Sequence, residues 1–497
     1  MQRMNRRELL TTSLPVWFAA LAGGQYVPRA TARGSGVMSP SVETQYGRVR
    51  GASVQGVNIF RGIPFGGATA ETARFLPPSK PRNWTGIRNA TETGPRCVQG
   101  PGSVFLSPLI GEYFRGSTGR TELAQEKESE NCLVLNVLTP GLNGKRPVMV
   151  YIHGGGFSGL SSLLTLFADA FPREQDVVLV GINHRLGVFG YLYLGGLNGR
   201  YAISTLLGMP GAKGLLHRAI VESGSLLRVH DKEAATRNAP RLLTRLGLTE
   251  DQVSQLHSIP AEKLLAGGAE ASGMGYGPVV DGHSIPQQPW NPVAPETSAN
   301  IPMIIGNCKD ESTLFSQDDE MLFHLDEAGL RDRVVKAAIP ESEVSPLLTV
   351  YHRDHPKDTP REIYFRISTD RGARWNAVRQ AELKIEQGKA NVYLYYFAWD
   401  TPVAGGKFKA FHTAELPLAM RLVRYPESEQ LSRQISGAWA AFARHGNPDL
   451  SGFPKWPVYS TTQRATMIFD AAGSQAVNDL DGEERLMLRG RPSGNLL

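Results

Sequence analysis

Residues 148–157 read VMVYIHGGGF, a short apolar run that passes directly into three consecutive glycines. A run such as Val148 to Ile152, rich in β-branched residues, is typical of a buried parallel strand. Glycines after a strand let the backbone turn sharply and direct bare N–H groups toward one point. Such a point can hold the negative oxygen of a tetrahedral intermediate, so Gly154 and Gly155 are predicted to form an oxyanion hole.

The same glycines match a second pattern, the dinucleotide-binding motif G-x-G-x-x-G. Gly154, Gly156 and Gly159 supply the glycines, and Asp176 lies about 20 residues further on. In that motif, however, the acid lies at the far end of the next strand. Asp176 instead precedes the apolar run Val177 to Ile182, so the pattern does not favour a dinucleotide site.

Further apolar runs on both sides of this segment predict other strands of one sheet. Helical periodicity falls between several of them, at 233–246 and 430–445. Strands that alternate with helices indicate an α/β fold. The predicted strands are Leu133 to Val137, Val148 to Ile152, Val177 to Ile182, Ala219 to Val221, Pro302 to Ile305 and Val392 to Phe397, with a hairpin between Val42 and Arg61.

Charge and metal-ligand content exclude several classes of function. The 497 residues carry a formal charge of +6 without any block of like charges, and this small excess gives no argument for a nucleic-acid partner. The three cysteines form no metal-binding pattern. His352 and His355 lie three residues apart, but two histidines alone are typical of a solvent-exposed pair. Neither a metal nor an organic cofactor is therefore predicted.

The N-terminus reads as an export signal. Arg6 and Arg7 form a twin-arginine pattern ahead of an apolar run that ends at Ala22. The run is shorter than the about 20 apolar residues that a transmembrane helix needs. We expect residues 1–22 to be a twin-arginine-like signal peptide and residues 23–43 a flexible segment. The protein is expected to be exported, either periplasmic or secreted, without a transmembrane segment.

Several motifs, taken together, resemble those of type-B carboxylesterases. They are FRGIPF at 60–65, SENCL at 129–133, HGGGF at 153–157, NHRLG at 183–187 and ESGS at 222–225. The resemblance identifies residues 44–497 as a carboxylesterase domain of the α/β-hydrolase fold, in which helices flank a central, mostly parallel sheet. It implies hydrolysis of small-molecule carboxylic esters through an acyl-enzyme, without a cofactor.

The family uses a Ser-Glu-His triad, and the resemblance assigns two of its members. The segment GNCKDES at 306–312 matches that of the family's acid. Glu311 takes this role, and Asp310 is the less favoured candidate. The segment FHTAELP at 411–417 matches that of the base, which is therefore His412.

The resemblance also implies two stabilising contacts near the N-terminal loops. Cys97 and Cys132 fall where family members carry a disulfide, and Cys308 should stay free. Glu130, the acid of the SENCL segment, is expected to pair with Arg74.

The third member of the triad is missing. The nucleophile of an α/β-hydrolase lies in G-x-S-x-G on a sharp strand-to-helix turn. No serine of the chain has glycine at both positions −2 and +2. The family places a crossover helix, a central strand, the elbow and a second helix between the NHRLG and ESGS segments. About 30–40 residues of that block are absent between Ala202 and Ser204. The fold is therefore expected to lack its central elbow strand, and the chain as written is expected to be inactive.

Three interpretations of the missing nucleophile remain. The first is an esterase whose gene, or gene model, has lost an internal block, which explains why the oxyanion loop, Glu311 and His412 are retained. The second is a non-catalytic binding or adhesion protein, but such proteins are expected to lose triad residues by substitution in an intact sheet. The third uses Ser158 or Ser223 as a substitute nucleophile, although neither lies on an elbow. The first is favoured; the ester preference and the oligomeric state are not determined.

Overall fold

The computed structural model describes residues 37–100, 113–114, 126–194, 203–271 and 275–490. The predicted signal peptide, residues 1–22, lies outside the described residues, as does most of the segment 23–43. The described residues form one compact unit. Its first strands include residues 37–38 and 42–44, so ordered structure begins inside the segment that was expected to be flexible. No described helix has the length and apolar character needed to cross a membrane.

The strands of the described residues form three sheets. Their orders are β1-β4-β5-β7-β9-β8, β10-β11-β12-β13-β14 and β2-β3-β6. The strands are β1 Val37–Met38, β2 Val42–Thr44, β3 Gly47–Arg50, β4 Ala52–Val54, β5 Val57–Pro64, β6 Ile87–Asn89, β7 Val134–Thr139, β8 Val148–Ile152, β9 Val178–Ile182, β10 Ala219–Glu222, β11 Met303–Cys308, β12 Val392–Phe397, β13 Thr466–Phe469 and β14 Gln475–Val477.

The six-stranded sheet is mixed rather than parallel. β8 and β9 pair in parallel, with Ile152 opposite Ile182. β7 is antiparallel to both β5 and β9, so the prediction that β7 is a parallel strand was wrong. A sequence run that is buried on both faces does not reveal the direction of its neighbours, because both arrangements can bury it equally well.

The five-stranded sheet has a fully buried parallel centre. β10, β11, β12 and β13 are parallel, and only β14 runs in the opposite direction. Every residue of β11 and of β12 is buried. Such strands fold because their side chains are apolar on both faces, and they place polar side chains at their carboxyl ends, where the loops that follow are exposed.

The two larger sheets end at β8 and β10, and no ladder joins these strands within the described residues. Met149 of β8 and Ile220 of β10 nevertheless pack against one hydrophobic cluster, so the two edges belong to the same core. Val148 and Val150 on β8 are 60 % and 50 % exposed. An interior strand of an α/β sheet has both faces covered. The prediction that β8 is buried was therefore wrong in this structure, in which its outer face lacks a cover.

The helix Trp375–Glu386 packs against β11 and β12. The prediction for 430–445 is met by one helix at 429–445, whereas the segment 233–246 is divided into two short helices. The α-helices are α1 Ala170–Gln175, α2 Gly187–Tyr191, α3 Ile203–Leu206, α4 Lys232–Thr236, α5 Asn238–Arg245, α6 Ala261–Ala271, α7 Glu311–Phe315, α8 Glu327–Lys336, α9 Glu341–Asp354, α10 Pro360–Thr369, α11 Trp375–Glu386, α12 Leu416–Ala419, α13 Glu429–His445 and α14 Gly482–Met487.

The predicted ion pair between Arg74 and Glu130 is confirmed. Nε and Nη2 of Arg74 donate to the two carboxylate oxygens of Glu130 at 2.6 and 2.5 Å, and both side chains are less than a tenth exposed. Nη1 donates to the carbonyls of Leu256 and Ile259 at 2.7 and 2.8 Å. Arg74 thus joins the N-terminal loops to the helical segment around residue 256.

The predicted disulfide is not formed, and Cys97, Cys132 and Cys308 are all free thiols. Cys97 and Cys132 lie in one hydrophobic cluster, and the amide of Leu186 donates to Sγ of Cys97 at 3.2 Å. Burial and the neighbouring Cys132 raise the pKa of the Cys97 thiol well above its ordinary value.

Candidate active site

The structure brings Glu311 and His412 into direct contact. Glu311 opens α7 immediately after β11, and His412 lies in the loop before α12. A β-bridge between Asp310 and Phe411, one residue before each of them, holds the two loops together. Nδ1 of His412 is hydrogen bonded to Oε2 of Glu311. A carboxylate in this position fixes the orientation of the imidazole and favours a proton on Nδ1.

The second carboxylate oxygen of Glu311 accepts two further hydrogen bonds. The Ser223 hydroxyl donates to Oε1 at 2.5 Å, and the amide of Cys308 donates to the same atom at 2.6 Å. Ser223 follows β10, and Cys308 ends β11, so two neighbouring strands hold the acid in place. Glu311 is only 3 % exposed. Three hydrogen bonds to its two carboxylate oxygens offset the cost of removing the Glu311 charge from water.

The position of His412 sets its proton affinity. Burial disfavours the imidazolium, but the charge of Glu311 and the hydrogen bond to it outweigh burial and raise the pKa of His412 above its ordinary value. Glu415 acts in the same direction. The ring of Phe315 lies 5.1 Å from the imidazole, centre to centre. The pair therefore has the geometry and the electrostatics of a general base with its orienting acid.

Two further carboxyl groups lie next to the Glu311–His412 pair. Glu415 accepts hydrogen bonds from Cys308 Sγ at 2.8 Å and from the hydroxyl of Tyr395 at 3.2 Å. Glu222, at the end of β10, accepts one from Nε1 of Trp439 at 3.0 Å. Burial and the charge of Glu415 raise the pKa of Glu222 to about 8, and burial and Glu311 raise that of Glu415. Sequence reasoning assigned no role to either residue, although both lie within quoted motifs.

The edge of the first sheet reaches this carboxyl cluster. Burial raises the pKa of Tyr151 on β8, and the charges of Glu222 and Glu415 raise it further. The hydroxyl of Tyr151 therefore lies within electrostatic range of β10. The polar groups of the candidate site thus lie at the place where the two sheets are not joined.

The glycine loop after β8 has the conformation that its sequence predicts. Gly155 has a φ of +104°, and a Cβ there would come within 2.2 Å of the carbonyl oxygen of Gly159. Gly154 is exposed. No hydrogen bond between described residues uses the N–H of Gly154 or Gly155. Within the described part of the chain, neither amide thus has a protein acceptor.

The other residues considered from the sequence have structural roles in the described chain. Asp310 accepts a hydrogen bond from the amide of Ala410 at 3.2 Å and binds the loop of His412 rather than its ring. Ser158 is exposed and donates to the carbonyl of Gly155 at 3.2 Å. Ser223 donates to Glu311, not to His412. Neither serine is placed as the nucleophile of a triad.

Comparison with known proteins agrees with this arrangement. A model of the Carboxylesterase family matches residues 38–200 and 194–485. A para-nitrobenzyl esterase of Bacillus subtilis (strain 168) is 31 % identical over 507 residues, which cover 90 % of this chain and 98 % of that protein. A phenmedipham hydrolase of Pseudarthrobacter oxydans is 26 % identical and covers 91 % of this chain and 99 % of its own.

The solved structures give the same result. A carboxylesterase of Geobacillus stearothermophilus is 32 % identical and superposes with a TM-score of 0.74, covering 90 % of this chain and all of that one. A para-nitrobenzyl esterase structure gives a TM-score of 0.72 at 29 % identity. Since the family model matches most of the chain and solved carboxylesterases share its architecture, this chain belongs to the carboxylesterase family and has the α/β-hydrolase fold.

Proposed function

We propose that this chain carries the acid and base of a carboxylic ester hydrolase but lacks its nucleophile, so that the form given by the sequence does not turn over esters. The observation that carries the proposal is the buried Glu311–His412 pair, which lies beside β8 and β10, two strands that no ladder joins within the described residues. The substrates of the intact form are small-molecule carboxylic esters, the class named for several relatives.

The retained residues define how the intact form would act. A serine would attack the ester carbonyl while Nε2 of His412 takes its proton and later returns it to the leaving alcohol. Glu311 would keep Nδ1 protonated and stabilise the imidazolium. The amides of Gly154 and Gly155 would donate to the oxyanion of the tetrahedral intermediate. No step in this scheme requires a cofactor.

Three further observations support an absent block rather than a substituted residue. The family match is split into two segments, 38–200 and 194–485, which overlap at residues 194–200 instead of running through as one. The alignment with the para-nitrobenzyl esterase runs over 507 positions, more than the 497 residues of this chain, although it takes in only 90 % of the chain. This chain therefore has no residue at many aligned positions. β8 and β10, which an elbow strand would separate, form the unpaired edges of the two sheets.

The alternative of a non-catalytic binding or adhesion protein is not favoured. Nothing in such a role requires a buried histidine that is hydrogen bonded to a buried glutamate. The loss of a whole structural block also differs from the point substitutions that would remove activity while keeping the sheet continuous.

The experiment restores the block. The segment of the Bacillus subtilis esterase between its NHRLG-like and ESGS-like motifs replaces residues 188–221, and both proteins are assayed with short-chain nitrophenyl esters and a fluorophosphonate probe. We expect neither turnover nor labelling in the original chain, and both in the restored one. The control is His412→Gln in the restored chain, which should abolish turnover. Ordinary esterase rates with one labelled serine in the original chain would overturn the proposal.

We also propose that residues 1–22 direct export by the twin-arginine route, on the basis of Arg6, Arg7 and the apolar run to Ala22. Replacing both arginines by lysine in a reporter fusion should keep the reporter in the cytoplasm. Export that is unaffected by this change would contradict the proposal.

A further inference from the structure

A group of acidic and imidazole side chains lies away from the esterase residues, where α9 meets the C-terminal helix α14. His355 follows the last residue of α9, Asp481 precedes α14, and Glu484 lies on its first turn. One ligand atom from each of the three residues lies within 4.8 Å of the other two. Tetrahedral ligands at about 2.0–2.2 Å from one zinc ion lie about 3.3–3.6 Å apart, so side-chain rotations that move these atoms by about 1 Å would complete the set.

Glu484 is the unusual member of this group. It is fully buried, yet neither of its carboxylate oxygens accepts a hydrogen bond in the described chain. Its contact is Nε2 of His355, 2.8 Å from Oε1, and that nitrogen also makes no hydrogen bond. Buried carboxylates are normally paired or bound to a metal, because desolvation without a partner is costly. The two atoms are close enough for an ion pair if the imidazole is protonated, but neither is hydrogen bonded, so both can turn toward one ion.

The local charge is also unbalanced. Asp370, Asp481 and Glu484 contribute three carboxyl groups, and the charges of Glu484 and Asp481 help to raise the pKa of Asp370. Arg374 lies 3.5 Å from Asp481 and 3.7 Å from Asp370, and Arg366 also interacts electrostatically with Asp370. Nη2 of Arg374 also donates to the carbonyl of Leu480 at 2.5 Å. A divalent cation held by Asp481 and Glu484 would add positive charge to this group of carboxyl groups.

We propose that His355, Asp481 and Glu484 bind a divalent cation of the zinc type. One imidazole and two carboxylates suit Zn²⁺, whereas Ca²⁺ prefers oxygen ligands alone. The bound ion connects α9 to α14, next to the apolar cluster in which Tyr351 of α9 packs with Leu488. Its role is to fasten the C-terminal helix to the helical layer, and it takes no part in ester chemistry.

The test uses Zn²⁺ alone, added to the metal-stripped full chain and followed by calorimetry and by the melting temperature. We expect one equivalent to bind and to raise the melting temperature. Glu484→Gln and His355→Gln should each weaken binding by at least the about 10–100-fold that loss of a supporting group costs a metal site. His352→Gln changes an exposed neighbouring histidine, which lies 3.3 Å from Glu327, and should bind Zn²⁺ normally.

Two further measurements and a second variant keep the test decisive. Co²⁺ bound at the site should give visible absorption bands that His355→Gln alters, and Ca²⁺ should not compete. If Glu484→Gln fails to fold, His355→Gln still decides, because the side chain of His355 is partly exposed. The proposal is overturned if Zn²⁺ does not bind saturably, or if it binds both variants as tightly as the original chain.

Discussion

The Ser223 hydroxyl donates a hydrogen bond to Oε1 of Glu311 at 2.5 Å, whereas His412 is bonded to the other carboxylate oxygen, Oε2. Ser223 therefore positions the acid and is not itself activated. A serine nucleophile has the opposite relation: it donates to the imidazole, and the acid lies beyond the imidazole.

This geometry gives the first prediction, that Ser223→Ala lowers stability. Removing a buried hydrogen bond to a charged acceptor costs about 1–3 kcal/mol, which urea unfolding measures. The matched control is Ser225→Ala two residues on, because the Ser225 hydroxyl is buried and makes no hydrogen bond in the described chain. That change should be neutral or slightly stabilising. Equal losses in the two variants would show that the bond to Glu311 has no special weight.

The second prediction concerns the buried ion pair of Arg74 and Glu130. Arg74→Met leaves Glu130 buried without its partner, and loss of one member of such a pair costs about 3–5 kcal/mol. Arg48 and Glu43 provide the control, since they also form an ion pair, at 2.7 Å, but are 61 % and 68 % exposed. Arg48→Met should cost less than about 1 kcal/mol.

A double-mutant cycle separates the pair from its surroundings. If Arg74→Met and Glu130→Gln give additive losses in unfolding free energy, the two side chains are not coupled and the structural reading of the pair is wrong. We expect the double variant to be more stable than the sum of the two losses implies.

The third prediction is a fall in stability as the pH rises from about 5 to 9. The pKa of Glu222 is about 8 in the folded protein, because of burial and the charge of Glu415, against about 4.3 in an unfolded chain. Between these values the folded state holds a proton that the unfolded state has lost. The contribution of Glu222 to the free energy of unfolding is therefore fully present below about pH 4. It falls as the pH rises from about 4 to about 8, and above that it is lost.

Glu222→Gln tests this prediction, because the amide keeps an oxygen that can accept from Trp439 but cannot ionise. We expect its urea midpoint to change less than that of the original chain between pH 6 and 9, and to be the higher of the two at pH 9. Glu427→Gln, at an exposed carboxyl, should leave the original pH profile unchanged. Parallel profiles for the original chain and Glu222→Gln would contradict the assignment.

Local sequence was sufficient to predict most of the strands, and the family resemblance named Glu311 and His412, which the structure brings into contact. β8 and β12 begin and end at the predicted residues, because an apolar run bounded by polar or glycine residues specifies a strand locally. Glu311 and His412 were assigned because each lies in a segment, 306–312 and 411–417, that matches one of the carboxylesterase family.

Relations between distant segments could not be predicted in the same way. The antiparallel direction of β7 and the hydrogen bond from Ser223 to Glu311 depend on which segments the fold places side by side. The position of the Glu484 carboxylate, which accepts no hydrogen bond in the described chain, likewise depends on the packing of α9 against α14. His355 lies 2.8 Å from it in space but more than a hundred residues away in the sequence. No periodicity in the sequence reports such contacts.

The last prediction concerns the uncovered edge of the first sheet. β8 is an edge strand whose outer face exposes Val148 and Val150, and an exposed apolar edge is a template for pairing with another chain. We therefore expect the chain as written to self-associate as its concentration rises. Val148→Lys with Val150→Lys should reduce this association, because charged side chains on an edge strand oppose edge-to-edge pairing.

Light scattering across a concentration series measures the effect. The control is Val293→Lys with Met321→Lys, which adds the same charge at apolar residues that are 58 % and 70 % exposed but lie outside every strand. If both double variants reduce association equally, net charge is the cause and the edge of β8 is not. In the chain with the restored block, β8 becomes an interior strand, and the lysines at 148 and 150 should then prevent folding instead of improving solubility.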